Sequence, residues 1–167
     1  MPLSNDLPDR VLMLDACMVA AKCSDDPRTK NGALLVGRNG SWILSGANKL
    51  PSLVSRLPER LVAPAKGVYM EHAERAAIFQ AARFGCATDG ATMYCPWFAC
   101  TDCARAIIEA GIAEVVGHTK HRELTDARWI DTVKQGDAML REAGVRMRFI
   151  SDQLNISYLF NGVMTDF

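Results

Sequence analysis

Apolar positions along this chain change period several times, and each change marks an element. From Asp9 to Cys23, the residues Val11, Leu12, Leu14, Ala16, Met18 and Val19 give a broad apolar face at helical spacing, and Ser24-Asp25-Asp26-Pro27 ends it. Ala33-Leu34-Leu35-Val36 reads as a short apolar strand. Arg38-Asn39-Gly40 is a turn, and Trp42-Ile43-Leu44-Ser45 reads as the returning strand of a hairpin. Residues 46–70 contain Pro51, Pro58, Pro64 and Gly67 and read as a long loop with at most a helical turn, a kind of segment that is often functional. After it the pattern alternates. Helices are predicted over Glu71–Phe84, Cys100–Ala110 and Ala127–Ala143, and strands over Ala91–Cys95, Glu114–His118 and Val145–Ile150. The tail, Ser151–Phe167, ends in Tyr158, Leu159, Phe160, Val163, Met164 and Phe167; the sequence leaves open whether it forms a helix packed on the core or on a partner subunit.

A hairpin followed by alternating strands and helices implies an α/β layered domain with a mixed sheet. The length of 167 residues suggests one domain over 1–167, large enough to bury a core without disulfides. Lys plus Arg and Asp plus Glu are 19 each, so the formal net charge is zero. Nucleic-acid-binding domains are usually basic, so this balance favours a small-molecule substrate over nucleic acid. No apolar run reaches the roughly 18 residues of a membrane-spanning helix. The first residues, Met1 to Arg10, carry Asp6 and Asp9 and lack the basic start and apolar stretch of a signal peptide. The expected location is therefore cytoplasmic, where disulfides are an unusual use of cysteine. Cys17, Cys86 and Cys95 read as small buried apolar residues. His118 and His121, after a strand end, read as surface or loop histidines. Tyr94 reads as core, while for Trp97 and Phe98 pocket wall and packing are equally open.

Two segments carry chemistry. His72-Ala73-Glu74 opens one helix, and Cys100-Thr101-Asp102-Cys103 opens another. Two thiolates at i and i+3 can chelate one metal ion, and His72 would complete a set of three protein ligands. Three ligands leave a position for water, which distinguishes catalytic from structural zinc. Zinc lowers the pKa of its water towards about 7. Helix N-termini favour thiolates at Cys100 and Cys103. Glu74, two residues after His72, can face that water and move protons without binding the metal. H-x-E followed by C-x-x-C is a pattern of zinc nucleobase deaminases.

Around these residues the chain resembles the cytidine deaminase superfamily, and within it the deoxycytidylate (dCMP) deaminase group. The similarity runs from about Val19 to Ile150. Met93-Tyr94 through Cys103-Ala104, continuing as Ile107-Ile108-Glu109-Ala110-Gly111-Ile112, resembles the group's central segment. Ser24-Asp25-Asp26-Pro27-Arg28-Thr29 with Gly32-Ala33 resembles its S-x-D-P-x-T-x-V-G-A stretch, and Gly46-Ala47-Asn48-Lys49-Leu50-Pro51 its G-Y-N-G-x-P loop. The resemblance implies a three-layer α-β-α fold with a central mixed five-stranded sheet, one catalytic zinc ion per chain, and hydrolysis of a cytosine amine to a carbonyl, with dCMP to dUMP foremost. It also implies that Asn48 contacts the sugar, that backbone groups near Ala73 and Phe98 hold the pyrimidine edge and the departing amine, and that the chain forms a homo-oligomer, a dimer or hexamer. The chain departs from the pattern at Cys23 (Arg in the family), Asn31 (Val), Ala47 and Lys49 (Tyr and Gly) and Ala99 (Pro). With Arg lost at 23, Lys22, Lys30, Lys49 and Lys66 are the nearby cations for a phosphate. A nucleoside, free base or other aminated heterocycle, a tRNA or single-stranded DNA base, and a non-catalytic zinc protein are the alternatives left open by the residues themselves.

Overall fold

The run at 33–36 has no polar face, and the strand it forms is covered on both sides. A computed structural model describes residues 8–167; the reading of the first segment lies, for residues 1–7, outside the described residues. Strand β1 (Gly32–Val36) pairs antiparallel with β2 (Ile43–Ala47) on one side and with β3 (Thr92–Tyr94) on the other. β4 (Glu114–His118) and β5 (Arg146–Ile150) continue the sheet in parallel, giving the order β2-β1-β3-β4-β5. This is the mixed five-stranded sheet the resemblance implies.

Because side chains alternate across a strand, register sorts the core into two layers. Leu35 lies opposite Met93, and Met93 opposite Val115. These three pack with Ala77 and Ala81 of helix α3 (Ala73–Phe84), Ile107 of α4 (Thr101–Glu109) and Leu140 of α6 (Ile130–Glu142). Their neighbours Leu34, Tyr94 and Val116 point the other way, onto α1 (Asp9–Cys23). Helix α1 buries Leu12, Met13, Ala16, Cys17 and Ala20, a stripe that shares only Leu12 and Ala16 with the predicted face; Val11, Leu14, Met18 and Val19 are half-buried. Two short helices, α2 (Lys66–Tyr69) and α5 (Thr119–Glu123), lie in connections, and α2 is the turn expected in the long loop. Among the described residues no helix is long and apolar enough to cross a membrane.

Helix α3 starts later than predicted because Glu71 is held in a bridge with Lys49, exchanging both backbone hydrogen bonds (3.1 and 2.9 Å). The predicted helix over 127–143 opens instead as a 3-10 turn, Ala127–Trp129, on an Asp126 cap. Helix α3 lies very close to β2. A Cβ added at Gly46 would sit 2.2 Å from the Ala73 carbonyl oxygen and 2.4 Å from the Ala77 nitrogen, so only glycine permits this approach.

The tail is not a helix. Residues Ser157–Phe160 (β6) and Val163–Asp166 (β7) form an antiparallel hairpin. Tyr158 and Phe160 alternate inwards against α1, and Asn161 and Gly162 take φ of 52° and 83°, the conformation a two-residue hairpin turn demands. Apolar content alone left the tail's form open, and the Asn-Gly dipeptide decides the turn.

His118 and His121 are not surface residues; they are 2% and 0% exposed. The Asp152 carbonyl can only accept, so His118 Nε2 donates to it (3.0 Å). His118 Nδ1 shares a hydrogen bond with His121 Nδ1 (2.9 Å), and His121 Nε2 shares one with the Tyr158 hydroxyl (2.5 Å). The His121 ring stacks on Phe167 with centroids 3.5 Å apart.

Two outcomes are expected. Gly46→Ala should destabilise the fold by about 1–3 kcal/mol, the cost of overpacking, measurable by urea unfolding. Burial, then His118 and Lys120, push His121 well below its ordinary value of 6.5, while Tyr158 faces it from the hairpin. A depressed base binds fewer protons folded than unfolded, so its stabilisation is present above the unfolded pKa and is lost as pH falls below about 6.5. The melting temperature should drop on acidification through that window, and His121→Leu should flatten the slope.

Candidate active site

Two helices begin at the same edge of the sheet, and their first residues make the site. His72 caps α3 with extended φ/ψ of −81° and 151°, and Cys100 caps α4 with −67° and 169°. Cys103 lies in the first turn of α4. His72 Nδ1 is 3.5 Å from Cys100 Sγ and 3.5 Å from Cys103 Sγ, and all three atoms lie within 4.8 Å of one another. A tetrahedral zinc ion, with bonds of about 2.3 Å to sulfur and about 2.0–2.1 Å to nitrogen, would hold those atoms roughly 3.5 Å apart. The donor set and its spacing therefore fit zinc. The close approach of α6 keeps this corner tight, since a Cβ at Gly136 would lie 2.4 Å from the Ala99 carbonyl oxygen.

The electrostatics of these side chains suit a cation. A hydrogen bond from Cys103, then one with His72, hold Cys100 down at about 4. Cys103 itself is pushed up, first by that same bond and then by burial, so the pair keeps one proton that metal binding would expel. Burial opposes charge on His72, but the Cys100 thiolate and the Glu74 carboxylate outweigh it and raise its pKa. Glu74 is 3% exposed; burial pushes it up to about 7, with His72 pulling the other way. Arg75, which sequence reasoning passed over, reaches Cys103 Sγ (3.9 Å) and is held by Glu71 (2.5 Å) and Asp102 (3.7 Å).

Asn31, Asn48, His72, Glu74, Trp97, Phe98, Cys100, Trp129 and Val133 enclose an inner chamber of about 10 Å³, room for about one water. An outer chamber of about 70 Å³ adjoins it and shares Asn48, His72, Trp97 and Trp129. Lys66 and Arg128 stand in its wall. Trp129 meets both His72 and Trp97 edge-on, at 5.8 and 5.7 Å between centroids. Trp97 and Phe98 are thus both core and pocket wall.

Of the predicted contact residues, Asn48 and Phe98 line the inner chamber. Ala73 does not, since its N–H donates to Asn48 Oδ1 (2.9 Å), while Asn48 Nδ2 donates to the Thr29 carbonyl (3.3 Å). The Phe98 carbonyl accepts from Arg122 Nη1 (2.5 Å), and Arg122 is anchored on Asp137. The S-x-D-P-x-T stretch is a clamp. Ser24 Oγ donates to the Asn48 carbonyl (2.9 Å), and Asp26 accepts from the backbone N–H groups of Arg28 and Thr29 (2.8 and 2.9 Å). Of the lysines near the lost Arg position, Lys66 lies on the Asp26 carboxylate (2.8 Å) and Lys30 donates to the Ser24 carbonyl (2.8 Å). Trp129, Val133 and Arg122 lie far along the chain and carry no local signal of this role.

Residues 8–119 match the cytidine and deoxycytidylate deaminase zinc-binding region family. The chain belongs to this family. It is 35% identical over 104 residues to the deoxycytidylate deaminase of Pongo abelii, a stretch that is 59% of this chain and 57% of that protein. It is 40% identical over 77 residues to the deoxycytidylate deaminase of Enterobacteria phage T2, covering 46% of this chain and 36% of that protein. The matches thus span little more than half, or less, of these relatives' lengths. The dCMP deaminase of cyanophage S-TIM5, solved in complex with dCMP and dUMP, superposes with a TM-score of 0.66 at 27% identity, covering 84% of this chain and 94% of that one.

Replacing a ligand should cost more zinc affinity than the roughly 10–100-fold that loss of a supporting partner costs. Cys100→Ser is therefore expected to lose zinc to a chelator that the unaltered chain withstands, as read by elemental analysis. Full zinc retention would remove Cys100 from the ligand set.

Proposed function

We propose that this chain is a zinc-dependent hydrolytic deaminase that converts the exocyclic amine of a cytosine nucleotide, dCMP foremost, to a carbonyl and releases ammonia. The observation that carries the reading is the meeting of His72 Nδ1, Cys100 Sγ and Cys103 Sγ at zinc-ligand spacing in a cavity that also holds the buried Glu74. These three residues would hold one ion per chain, which when bound supplies a Lewis acid that makes water a nucleophile at neutral pH.

Glu74 is the catalytic residue. Its carboxylate takes one proton from the attacking water and gives it to the ring nitrogen beside the amine-bearing carbon. It then carries the water's second proton to the amine, which leaves as ammonia while the water oxygen stays as the carbonyl. A carboxyl group near 7 can both accept and donate at neutral pH, and its burial supplies that value. Asn48 keeps one amide N–H for the sugar side. Ala73 fixes Asn48, and Phe98, held by Arg122, closes the cavity. The relatives named above are deoxycytidylate deaminases, and Arg128 in the outer wall supplies a cation for a phosphate, which supports a nucleotide. The proposal covers a cytoplasmic homo-oligomer of single-domain chains. The free cysteines suit a reducing compartment, and Phe79 and Phe84, 56% and 63% exposed on α3, offer apolar surface to a second copy.

Glu74→Gln is expected to retain zinc and to lose about 10²–10⁴-fold in turnover. Ammonia release over cytosine, cytidine, deoxycytidine, dCMP, dCTP and purine analogues is the measurement. Turnover at the unaltered rate would remove Glu74 from its role. Silence of the zinc-loaded chain on every compound would overturn the deaminase reading.

A further inference from the structure

One buried polar atom in the inner chamber has no protein partner. Asn31 is 2% exposed and precedes β1. Its amide orientation is set by chemistry: the Trp97 carbonyl can only accept, so the atom 2.8 Å from it is Nδ2, which also approaches Cys95 Sγ (3.4 Å). Oδ1 therefore points away from that pair. It is fully buried, no donor of the chain reaches it, and Asn31 lines the chamber together with His72, Glu74 and Asn48. Buried acceptors are nearly always paired, and one left open in a ligand chamber awaits a donor. Two neighbouring acceptors are already engaged. Asn48 Oδ1 is taken by Ala73, and the Trp97 carbonyl accepts from Asn31 and from Cys95 (3.2 Å). The resembling stretch has Val at this position, which could accept nothing.

We infer that Asn31 is a specificity-determining residue whose Oδ1 accepts a hydrogen bond from an O–H or N–H of the substrate other than the amine it loses. The inference rests on the deaminase reading for the chemistry but not for the contact. Cytosine itself offers only C–H groups at its 5 and 6 positions, so the donor is a sugar hydroxyl or a polar substituent on the ring. A site built around such a donor discriminates strongly against the analogue lacking it, because the acceptor is then buried unpaired.

The test uses the zinc-loaded full chain and substrate pairs that differ by one hydroxyl: CMP against dCMP, dCMP against its 2′,3′-dideoxy analogue, and 5-hydroxymethyl-dCMP against 5-methyl-dCMP. Binding by calorimetry and turnover by ammonia release are both measured. The unaltered chain should prefer the hydroxyl-bearing member of one pair by about tenfold or more, and that pair identifies the donor. Asn31→Val should bring the pair within about twofold, while Asn31→Thr, of the same shape but with an oxygen, should restore part of the preference. Because Val and Thr are compared with each other, the readout survives any shared loss of stability. No preference in any pair, or a preference that persists in Asn31→Val, would overturn the inference. Ammonia release without such a preference defeats the role of Asn31 and leaves deamination standing. An Asn31-dependent binding preference without ammonia does the reverse.

Discussion

The structure depends on the antiparallel pairing of β1 with both of its neighbours. Because β1 runs against β2 and β3, its first residues lie beside the last residues of the other two. Extending the register by one or a few positions brings Asn31 between Asn48 and Trp97. The Asn48 N–H donates to the Asn31 carbonyl (3.0 Å), and the Asn31 amide donates to the Trp97 carbonyl (2.8 Å). The chain leaves the sheet at this edge after β2 and again after β3; the second exit leads into α4, and the first returns through the long loop and α2 to the Lys49–Glu71 bridge, where α3 begins. Both helix N-termini therefore arrive at one place. Parallel pairing of β1 with β3 would move Asn31 to the far edge and leave the two helix starts without the floor beneath them.

That convergence explains the site's charge. Two helix N-termini carry partial positive charge and unsatisfied N–H groups, which favour anionic groups nearby. The chain places two thiols and a carboxyl there and adds Arg75 beside Cys103. Burial opposes these anions, which is why Glu74 rises to about 7, whereas the shared hydrogen bonds of Cys100 hold it near 4. Different environments thus separate a ligand from a proton carrier within one cavity.

The opposite face of the sheet serves another end. There α1 and the β6–β7 hairpin enclose an aromatic cluster with the His118–His121–Tyr158 chain at its centre. It reaches the site through Trp97, which meets Phe160 edge-on and lines both chambers, and through the hairpin turn. Asn161 accepts from Thr29 Oγ1 (3.2 Å) and donates to the Leu124 carbonyl (2.6 Å), tying together two loops that flank the outer chamber. The hairpin is therefore a brace for the rim and not an independent tail.

Local sequence was sufficient for what local physics determines. The helix of α1, the glycine stops at Gly111 and Gly144, the alternation of strands and helices after residue 70, and the pairing of a His-x-Glu with a Cys-x-x-Cys were all legible, because period, capping and ligand spacing are short-range properties. The tail stayed open because apolar content alone does not choose between a helix and a hairpin, and His118 and His121 were misplaced because burial depends on what folds over them, here Phe167 from the far end of the chain. Only the tertiary structure brings Asn31 and Trp129 to the chamber and Arg122 to the Phe98 carbonyl behind it, since strand register and the packing of α6 set those positions and neither leaves a mark at the residues themselves. The sequence by itself determined which side chains can hold a metal and move a proton. The folded chain decided which of them meet, how deeply Glu74 is buried, and that one acceptor, Asn31 Oδ1, faces the chamber unpaired.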